Sequence, residues 1–203
     1  MPDAPPQPST SNRAELLRHA RRVDWRFLLP EAEFADVAYH GRPDPELAAA
    51  LLTFSRSVTT LGDLDTSRVF DLVVLADPSI GDLAQAARLL SPRGRLYVEL
   101  RAVRHRGAWL SSAGRLAACY ARQLEHLGLD GVMTHWHYPN LASPQAMIPL
   151  GEPAAIRYAL GRREGSRLTP AKVLVGRFLV DLGLFDRFIP YASVVGSNAE
   201  KAA

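Results

Sequence analysis

The amino-acid sequence predicts an α/β fold of three layers, with a mostly parallel β-sheet between two layers of helices. From residue 34 onward, short apolar runs alternate with helical patterns of about 10–15 residues. The run FDLVVLA at residues 70–76 is apolar without alternation, as in a strand that is covered on both faces. The chain has 203 residues, 47% of them apolar and 22% charged, which suits one globular domain with a sizeable core.

The amino-terminal region divides into a tail and a helix. Residues 1–12 contain four prolines and no periodic apolar pattern. We therefore predict a disordered tail over residues 1–12 and a single domain over residues 13–203. Asn12 and Glu15 resemble a capping box, and apolar residues recur at helical spacing as far as Phe27. Pro30 then ends this segment.

The remaining elements follow from local start and stop signals. Asp44, Pro45 and Glu46 place a cap, a first-turn proline and an acid at the start of one helix. Gly128 and Gly183 end two others. The predicted strands are residues 34–39, 57–61, 70–76, 95–100, 131–137 and 188–195, and the predicted helices are residues 13–27, 45–54, 80–90, 111–127, 153–160 and 170–182.

Charge and cysteine content argue against several classes of protein. The chain has 24 Lys and Arg against 21 Asp and Glu, a net charge of +3 that is too small to indicate nucleic-acid binding. Phe and Tyr are also not interleaved with the arginines, as single-strand binders require. A lone cysteine, Cys119, fits a reducing compartment, and no apolar run reaches the ~18 residues of a membrane span. We expect a cytoplasmic protein without a membrane span.

The stretch from Phe70 to Leu100 resembles the class I S-adenosylmethionine-dependent methyltransferases. It reads FDLVVLADPS, then an amphipathic helix, then LLSPRGRLYVEL. In that family an F-D-x-V strand and a helix precede L-x-P-G-G-x-L, and Arg93 here replaces one glycine. The resemblance extends over residues 30–197 in the order of elements. It implies a Rossmann-like methyltransferase fold in which residues 131–137 and 188–195 are the sixth and seventh strands, the seventh antiparallel.

The resemblance also implies cofactor-binding residues, at positions where this sequence departs from the family. The glycine-rich turn G-x-G-x-G is here Gly41-Arg42-Pro43-Asp44-Pro45, and each proline removes an N–H and fixes φ near −65°. Tyr39 stands where an acid often precedes the first glycine. Asp63 is a stand-in for the acid that holds the ribose hydroxyls after the second strand. The implied S-adenosylmethionine site therefore comprises Tyr39, Gly41, Asp63 and Ala76.

The connection before Phe70 is short. Only residues 62–69 lie between the predicted second strand and Phe70, and a crossover between parallel strands takes a dozen or more residues. Two interpretations remain open. Either the family's third strand and its helix are missing, or the second strand lies elsewhere.

Candidate catalytic residues follow the strands, because ligands in parallel sheets lie at the carboxyl ends of the strands. Asp77-Pro78-Ser79 resembles the D-P-P-Y of amino-methylating members without its second proline and its aromatic residue. The alternative is that Asp77 and Ser79 cap the next helix. Asp77, His105 and His135 are the candidates for the base that takes the proton of the methyl acceptor.

Candidate substrate-binding residues lie in the same region. Alternation points His135 and His137 to one face, and Tyr138 follows them; they suit a substrate pocket or ordinary packing. No third ligand stands nearby, so we expect no metal site. Arg101 and Arg104 suit a phosphorylated, nucleotide-linked or acidic substrate, or a solvated basic loop.

Two classes of function remain. The first is an enzyme that transfers methyl from S-adenosylmethionine to a small or carrier-linked bacterial metabolite. The second is a methyltransferase-fold subunit that has lost the cofactor site and serves as a binding or scaffolding partner. The prolines of the glycine turn favour the second. The sequence also predicts a homo- or hetero-oligomer, with two candidate surfaces: the helix region bearing Arg18, Arg22, Trp25 and Arg26, and residues 157–167.

Overall fold

The computed structural model describes residues 10–31, 33–64, 67–102, 112–161 and 170–198. The helices are α1 (Thr10–Arg22), α2 (Pro45–Leu51), α3 (Ile80–Arg88), α4 (Ala113–His126), α5 (Pro153–Gly161) and α6 (Pro170–Asp181), with 3₁₀ helices at Asp24–Leu28 and Phe185–Phe188. The strands are β1 (Phe34–Gly41), β2 (Ser55–Leu61), β3 (Phe70–Ala76), β4 (Leu90–Arg101), β5 (Leu129–Tyr138), β6 (Ala146–Pro149) and β7 (Tyr191–Asn198).

The strands form one mixed sheet in the order β2-β1-β3-β4-β7-β5-β6. The pairs β1–β2, β1–β3 and β3–β4 are parallel. Strand β7 runs antiparallel to both β4 and β5, so β5 points the same way as β4. The prediction of a mostly parallel sheet with an antiparallel last strand is confirmed.

Alternate residues of the strands face two separate cores, which makes the fold three layers deep. On β4, Leu96, Val98 and Leu100 point into the core formed with α3, α4 and α5. Tyr97 points the other way, into the core formed with α2 and the 3₁₀ helix Asp24–Leu28. The burial of both faces explains why β3 is apolar at nearly every position.

The starts of α2 and α3 agree with the capping signals, whereas Asn12, the expected cap of the first helix, lies inside α1. Asp44 is the N-cap of α2, and its carboxylate accepts a hydrogen bond from the Leu47 N–H at 3.0 Å. Ser79 caps α3 in a capping box with Asp82. These side chains satisfy N–H groups that the first turn of a helix leaves without partners.

Several predicted boundaries are wrong. The helix expected over residues 13–27 begins at Thr10 and ends at Arg22, and a 3₁₀ helix follows because Trp25 turns inward onto the sheet. Helix α2 ends at Leu51, before the buried Phe54. Strand β4 starts at Leu90, five residues before the predicted strand over residues 95–100, with Arg93 in the left-handed region at φ 67°. Strand β6 was not predicted.

The connection before Phe70 is short because the helix and strand that the family has at this point are missing from the part of the chain that the structure describes. Strand β2 pairs with β1 in the predicted position and lies at the edge of the sheet. Among the described residues between β2 and β3, there is neither a helix nor a further strand. The first of the two interpretations therefore holds for this part of the chain.

Residues 22–31, called here the N-terminal segment, run along one face of β4. Three same-face residues of that strand, Arg95, Tyr97 and Glu99, bind this segment. Glu99 pairs with Arg22, Tyr97 stacks on Trp25 with ring centroids 3.7 Å apart, and Arg95 pairs with Glu31.

The burial of the N-terminal segment corrects the prediction that Arg22 and Trp25 form part of a partner surface. Arg22 is 2% exposed and Trp25 is 0% exposed, so both are part of the protein interior. They are therefore not available as interface residues. Arg18 does lie at the surface, 4.0 Å from Glu46.

Candidate functional site

The carboxyl ends of β1, β3 and β4 meet at one edge of the sheet. Gly41 ends β1 with φ +113°, a conformation that favours glycine. A Cβ at Gly41 would overlap the carbonyl oxygen of Ala76, and the Arg42 N–H donates to that oxygen at 3.1 Å. The glycine of the turn thus permits a close approach between two parts of the protein backbone.

Arg22 brings a positive charge into this edge. Its guanidinium donates to both carboxylate oxygens of Glu99, at 2.6 and 2.7 Å, and to Asp44 at 3.1 Å. A fourth hydrogen bond of 3.3 Å reaches the carbonyl oxygen of Leu141, after β5. Arg22 therefore links the ends of β1, β4 and β5.

The electrostatics of this arrangement favour the ionised forms. Burial disfavours the charge of Arg22, yet its hydrogen bond to Glu99 and the charge of that carboxylate hold the pKa of Arg22 above its ordinary value. Burial likewise opposes ionisation of Asp44, but the Leu47 N–H and Arg22 keep its pKa below the ordinary value. The buried charges are thus paired with one another.

Asp77 follows β3 at the same edge of the sheet, and its carboxylate is bound by Arg101 and Arg42. Its backbone is left-handed at φ 52°, and its carboxylate accepts a hydrogen bond from the Arg101 N–H at 2.9 Å. Its carboxylate oxygen lies 3.7 Å from Nε of Arg42 and 3.9 Å from Nε of Arg101. The alternative that Asp77 and Ser79 cap the next helix is confirmed for Ser79, the N-cap of α3, and is wrong for Asp77. We call Arg22, Arg42, Asp44, Asp77, Glu99 and Arg101 the edge cluster.

The buried side chain of Tyr39 contacts the turn that follows β1. It is 2% exposed, and its hydroxyl donates to the carbonyl oxygen of Arg42. Burial, with the negative charges of Asp44 and Glu99, raises the pKa of Tyr39 to about 12. The hydroxyl stays protonated and serves as a donor that fixes the turn.

His135 and His137 lie on the sheet face that β4 presents to the N-terminal segment, as alternation predicts. Ser193 of β7 is opposite both Glu99 and His135, and its hydroxyl lies 2.8 Å from Nε2 of His137. Neither Nδ1 atom has a hydrogen-bond partner among the described residues. Burial lowers the pKa of His135 to about 4 and that of His137 to about 3, with the charge of Arg22 contributing to the second. Both rings are neutral near pH 7.

The other candidate residues do not join the edge cluster. Tyr138 lies on the opposite face of the sheet, packed against Trp136 at a centroid distance of 5.8 Å. Asp63 is exposed, two residues beyond β2. Arg104 and His105 lie outside the described residues. Of the predicted site residues, the structure brings together Tyr39, Gly41, Ala76, Asp77 and Arg101.

Sequence reasoning missed the residues at the centre of this site. Glu99 sits in the apolar stretch YVEL, and a carboxylate inside a buried strand requires a charged partner. That signal was available. Nothing in the sequence singled out Arg22 from the neighbouring arginines, and Asp44 was predicted only as a helix cap.

The described residues contain neither a membrane-spanning helix nor a cluster of metal ligands. No helix among them is both long and apolar enough to cross a bilayer. No group of three or more His, Cys, Asp or Glu side chains in the same residues could hold a metal ion.

A cavity of about 970 Å³ adjoins the carboxyl end of β4. Its walls include Ala102 and Ser112, between which lie residues 103–111, outside the described part of the chain. Arg115 and Arg187 supply positive charge, and Tyr191 at the start of β7 closes one side. This cavity is large enough for a small organic anion.

Comparison with known proteins identifies the fold. No protein-family model matches the chain, and no curated protein is similar to it in sequence. An S-adenosylmethionine-dependent methyltransferase from Archaeoglobus fulgidus matches with a TM-score of 0.51 at 10% identity, over 89% of this chain and 94% of that chain. Coclaurine N-methyltransferase, bound to N-methylheliamine and S-adenosylhomocysteine, matches with a TM-score of 0.47 at 11% identity, over 96% of this chain and 76% of that chain.

Proposed function

We propose that this chain, which has the three-layer Rossmann-like fold of the class I S-adenosylmethionine-dependent methyltransferases, is a binding subunit that does not itself transfer methyl groups. The observation that carries the proposal is the position of Arg22. Its guanidinium is buried at the sheet edge between Glu99 and Asp44, where ligands of parallel sheets bind. The protein's own side chain therefore takes the place of a ligand.

The hydrogen-bond donors of the turn support this proposal. The Arg42 N–H is bound to Ala76, and Pro43 and Pro45 have no N–H. The Leu47 N–H is bound to the Asp44 carboxylate. Because positions 42, 43, 45 and 47 offer no N–H group to a ligand, they do not fit the cofactor as a glycine-rich turn would.

The sheet edge beyond β1 supports the proposal independently. With the family's third strand and helix missing from the described residues, β2 is uncovered on its outer side. The expected ribose ligand, Asp63, is exposed rather than placed in a pocket wall. On the side of the sheet where the nucleoside would bind, only the edge strand β2 is thus present in the described part of the chain.

Calorimetric titration with S-adenosylmethionine and S-adenosylhomocysteine tests the proposal. We expect no heat of binding for either compound at millimolar concentration. A dissociation constant of about 100 μM or tighter, equivalent to about −5.5 kcal/mol, would overturn it. Thermal denaturation with and without each compound is an independent readout, since a ligand that binds only the folded state raises the midpoint.

The second candidate is methyl transfer from S-adenosylmethionine to a small or carrier-linked metabolite. It is favoured by Asp77 and Arg101, which share the carboxyl edge with the cavity of about 970 Å³. In this function S-adenosylmethionine would supply the methyl group, and Asp77, His105 or His135 would take the proton of the acceptor. Arg101 and Arg104 would hold an anionic acceptor, so replacing both with Ser would weaken its binding and flatten the salt dependence.

As a binding subunit, the protein would act in a cytoplasmic complex with another protein. Co-purification with the products of neighbouring genes, followed by sedimentation, tests this part of the proposal. A stable complex that does not require S-adenosylmethionine would support it. Absence of any such complex, together with cofactor binding, would favour the enzyme.

A further inference from the structure

Helix α6 is apolar on two sides. Its inner side faces α5, where a Cβ on Gly176 would lie 3.1 Å from a methyl carbon of Leu160, and where Val180 is buried. Its outer side presents four large apolar residues with exposures of 53% to 71%. We call these residues the α6 stripe: Leu174, Val175, Phe178 and Leu182.

The residues of the α6 stripe form a continuous surface. They recur at intervals of one to four residues, which places them on one side of a helix. The Leu182 N–H donates to the Phe178 carbonyl oxygen at 3.1 Å, so the helical spacing extends to the end of the stripe. A contiguous apolar surface of this kind marks a contact with another molecule.

Three of the four stripe residues are spaced symmetrically about Phe178, and Val175 lies beside them. Leu174 and Leu182 are each four residues away, about 6 Å along the helix axis on either side. When two copies of such a helix pack antiparallel about a two-fold axis, Phe178 meets its equivalent and Leu174 meets Leu182 of the other copy. Isologous interfaces require this kind of self-complementarity.

The charges beside the stripe are self-complementary in the same arrangement. Arg177 and Asp181 lie on the flank nearest α5, where Arg177 approaches Gly161 and Asp181 pairs with Arg157 at 2.7 Å. A two-fold axis perpendicular to both helices places like flanks side by side. Arg177 then lies within about 3 Å, measured along the helix axis, of Asp181 from the other copy. The contact forms twice.

We infer that the α6 stripe is a homodimer interface, in which α6 packs antiparallel against α6 of a second copy around Phe178. A membrane surface is the less favoured partner, since helices that lie on membranes carry Lys and Arg along their polar face, whereas the flank of this stripe balances Arg177 with the acidic Asp181. The inference is independent of whether the protein binds S-adenosylmethionine.

Sedimentation velocity of the full chain tests the interface. We expect a species of twice the monomer mass of 22.3 kDa. Phe178→Glu should weaken dimerisation by about a hundredfold or more, because a carboxylate would be buried at the centre of the contact. Phe27→Glu is the matched control, since Phe27 is 68% exposed and lies outside α6. A wild-type monomer at 100 μM, or equal loss in both variants, would overturn the inference.

A charge exchange tests the antiparallel geometry. Arg177→Asp and Asp181→Arg should each weaken self-association by about tenfold, since each places like charges in contact. An equimolar mixture of the two variants should associate again, because both cross-contacts then join opposite charges. A mixture no tighter than its components would overturn the geometry. Binding of the wild type to phosphatidylserine vesicles, abolished by Phe178→Glu, would assign the stripe to a lipid surface instead.

Discussion

Strand β4 carries two Arg–Glu pairs on one face, and they differ mainly in burial. At one end, Arg22 binds both oxygens of Glu99 at 2.6 and 2.7 Å, and the two side chains are 2% and 1% exposed. At the other end, Arg95 binds both oxygens of Glu31 at 2.7 and 2.8 Å, with exposures of 19% and 42%. The bond lengths are nearly equal, so the surroundings decide what each pair does for the protein.

The two pairs fasten opposite ends of the N-terminal segment. Between them, the Trp25–Tyr97 stack and the buried Val23 and Leu29 bind the segment to the sheet by apolar contact. The exposed pair adds little to this, because solvent screens its charges. The buried pair is costly to desolvate and costly to break, and it lies at the carboxyl edge of the sheet. Of the two pairs, Arg22–Glu99 is therefore the one whose loss should disturb the carboxyl edge of the sheet most.

The largest expected effect comes from breaking the buried pair. Arg22→Met should lower the free energy of unfolding by about 3–5 kcal/mol, because it leaves the Glu99 carboxylate buried without its partner. The double variant Arg22→Met/Glu99→Leu should recover most of this loss, since Glu99 then leaves no unpaired carboxylate, and Asp44 keeps its hydrogen bond from the Leu47 N–H and the charge of Arg101 at 3.9 Å. Urea denaturation monitored by circular dichroism measures both. If the double variant were no more stable than the single one, the loss would come from packing of the arginine rather than from the unpaired charge.

The fold could be predicted from the sequence where local patterns decide it. The bounds of β3 follow from seven consecutive residues without a solvent-facing position, and the start of α2 follows from Asp44 and Pro45. Alternation in THWHY placed His135 and His137 on one face. These signals lie within a few residues of the element that they define.

The centre of the site could not be predicted in the same way. Arg22 and Glu99 are 77 residues apart, and no local pattern links an arginine of the first helix to an acid of β4. Strand β6 is four residues long, with a single buried position, and it depends on pairing with β5. Such features depend on tertiary contacts. Ordering the chain to form these contacts costs conformational entropy, and only the contacts of the complete fold offset that cost.

The second prediction concerns how the stability of the protein depends on pH near the buried Arg22–Glu99 pair, where His135 and His137 lie on the same face of the sheet. Burial holds the folded-state pKa of His135 at about 4 and of His137 at about 3, below the unfolded value of 6.5. The unfolded chain therefore binds more protons below pH 6.5, and stability falls as pH falls through that range. The loss should reach about 2 kcal/mol per histidine at pH 5.

Unfolding of the wild type and of His135→Gln/His137→Gln, compared between pH 7.5 and 5, measures this loss. The double variant should be less sensitive to acid by the sum of the two contributions. Equal pH dependence of the two proteins would mean that the histidines titrate normally, and that the face beneath the N-terminal segment is open to water.

The third prediction compares Gly41, the last residue of β1, with Gly62, which directly follows the neighbouring strand β2. Gly41→Ala should cost at least about 2 kcal/mol, because the residue has φ +113° and its Cβ would meet the Ala76 carbonyl oxygen. Gly62→Ala should change the stability by less than about 1 kcal/mol, since nothing lies within 4 Å of its Cβ position. Thermal denaturation of both variants provides the measurement. Equal tolerance would show that the turn after β1 is not held against β3.

The smallest effect should come from the exposed end of β4. Arg95→Gln should cost only about 0.2–1 kcal/mol, despite bond lengths that match those of the buried pair. The hydrogen bonds from Arg95 lower the pKa of Glu31, so the contribution of the pair to stability is present above the ordinary pKa of 4.5 and is lost as pH falls through the folded-state value.

Raising the salt concentration to 1 M should shrink the contribution of the Arg95–Glu31 pair further, because the Debye length falls to about 3 Å. The difference in unfolding free energy between wild type and Arg95→Gln at low and high salt measures this directly. A loss of about 3 kcal/mol that did not depend on salt would remove the contrast between the two ends, since both pairs would then behave as buried ones.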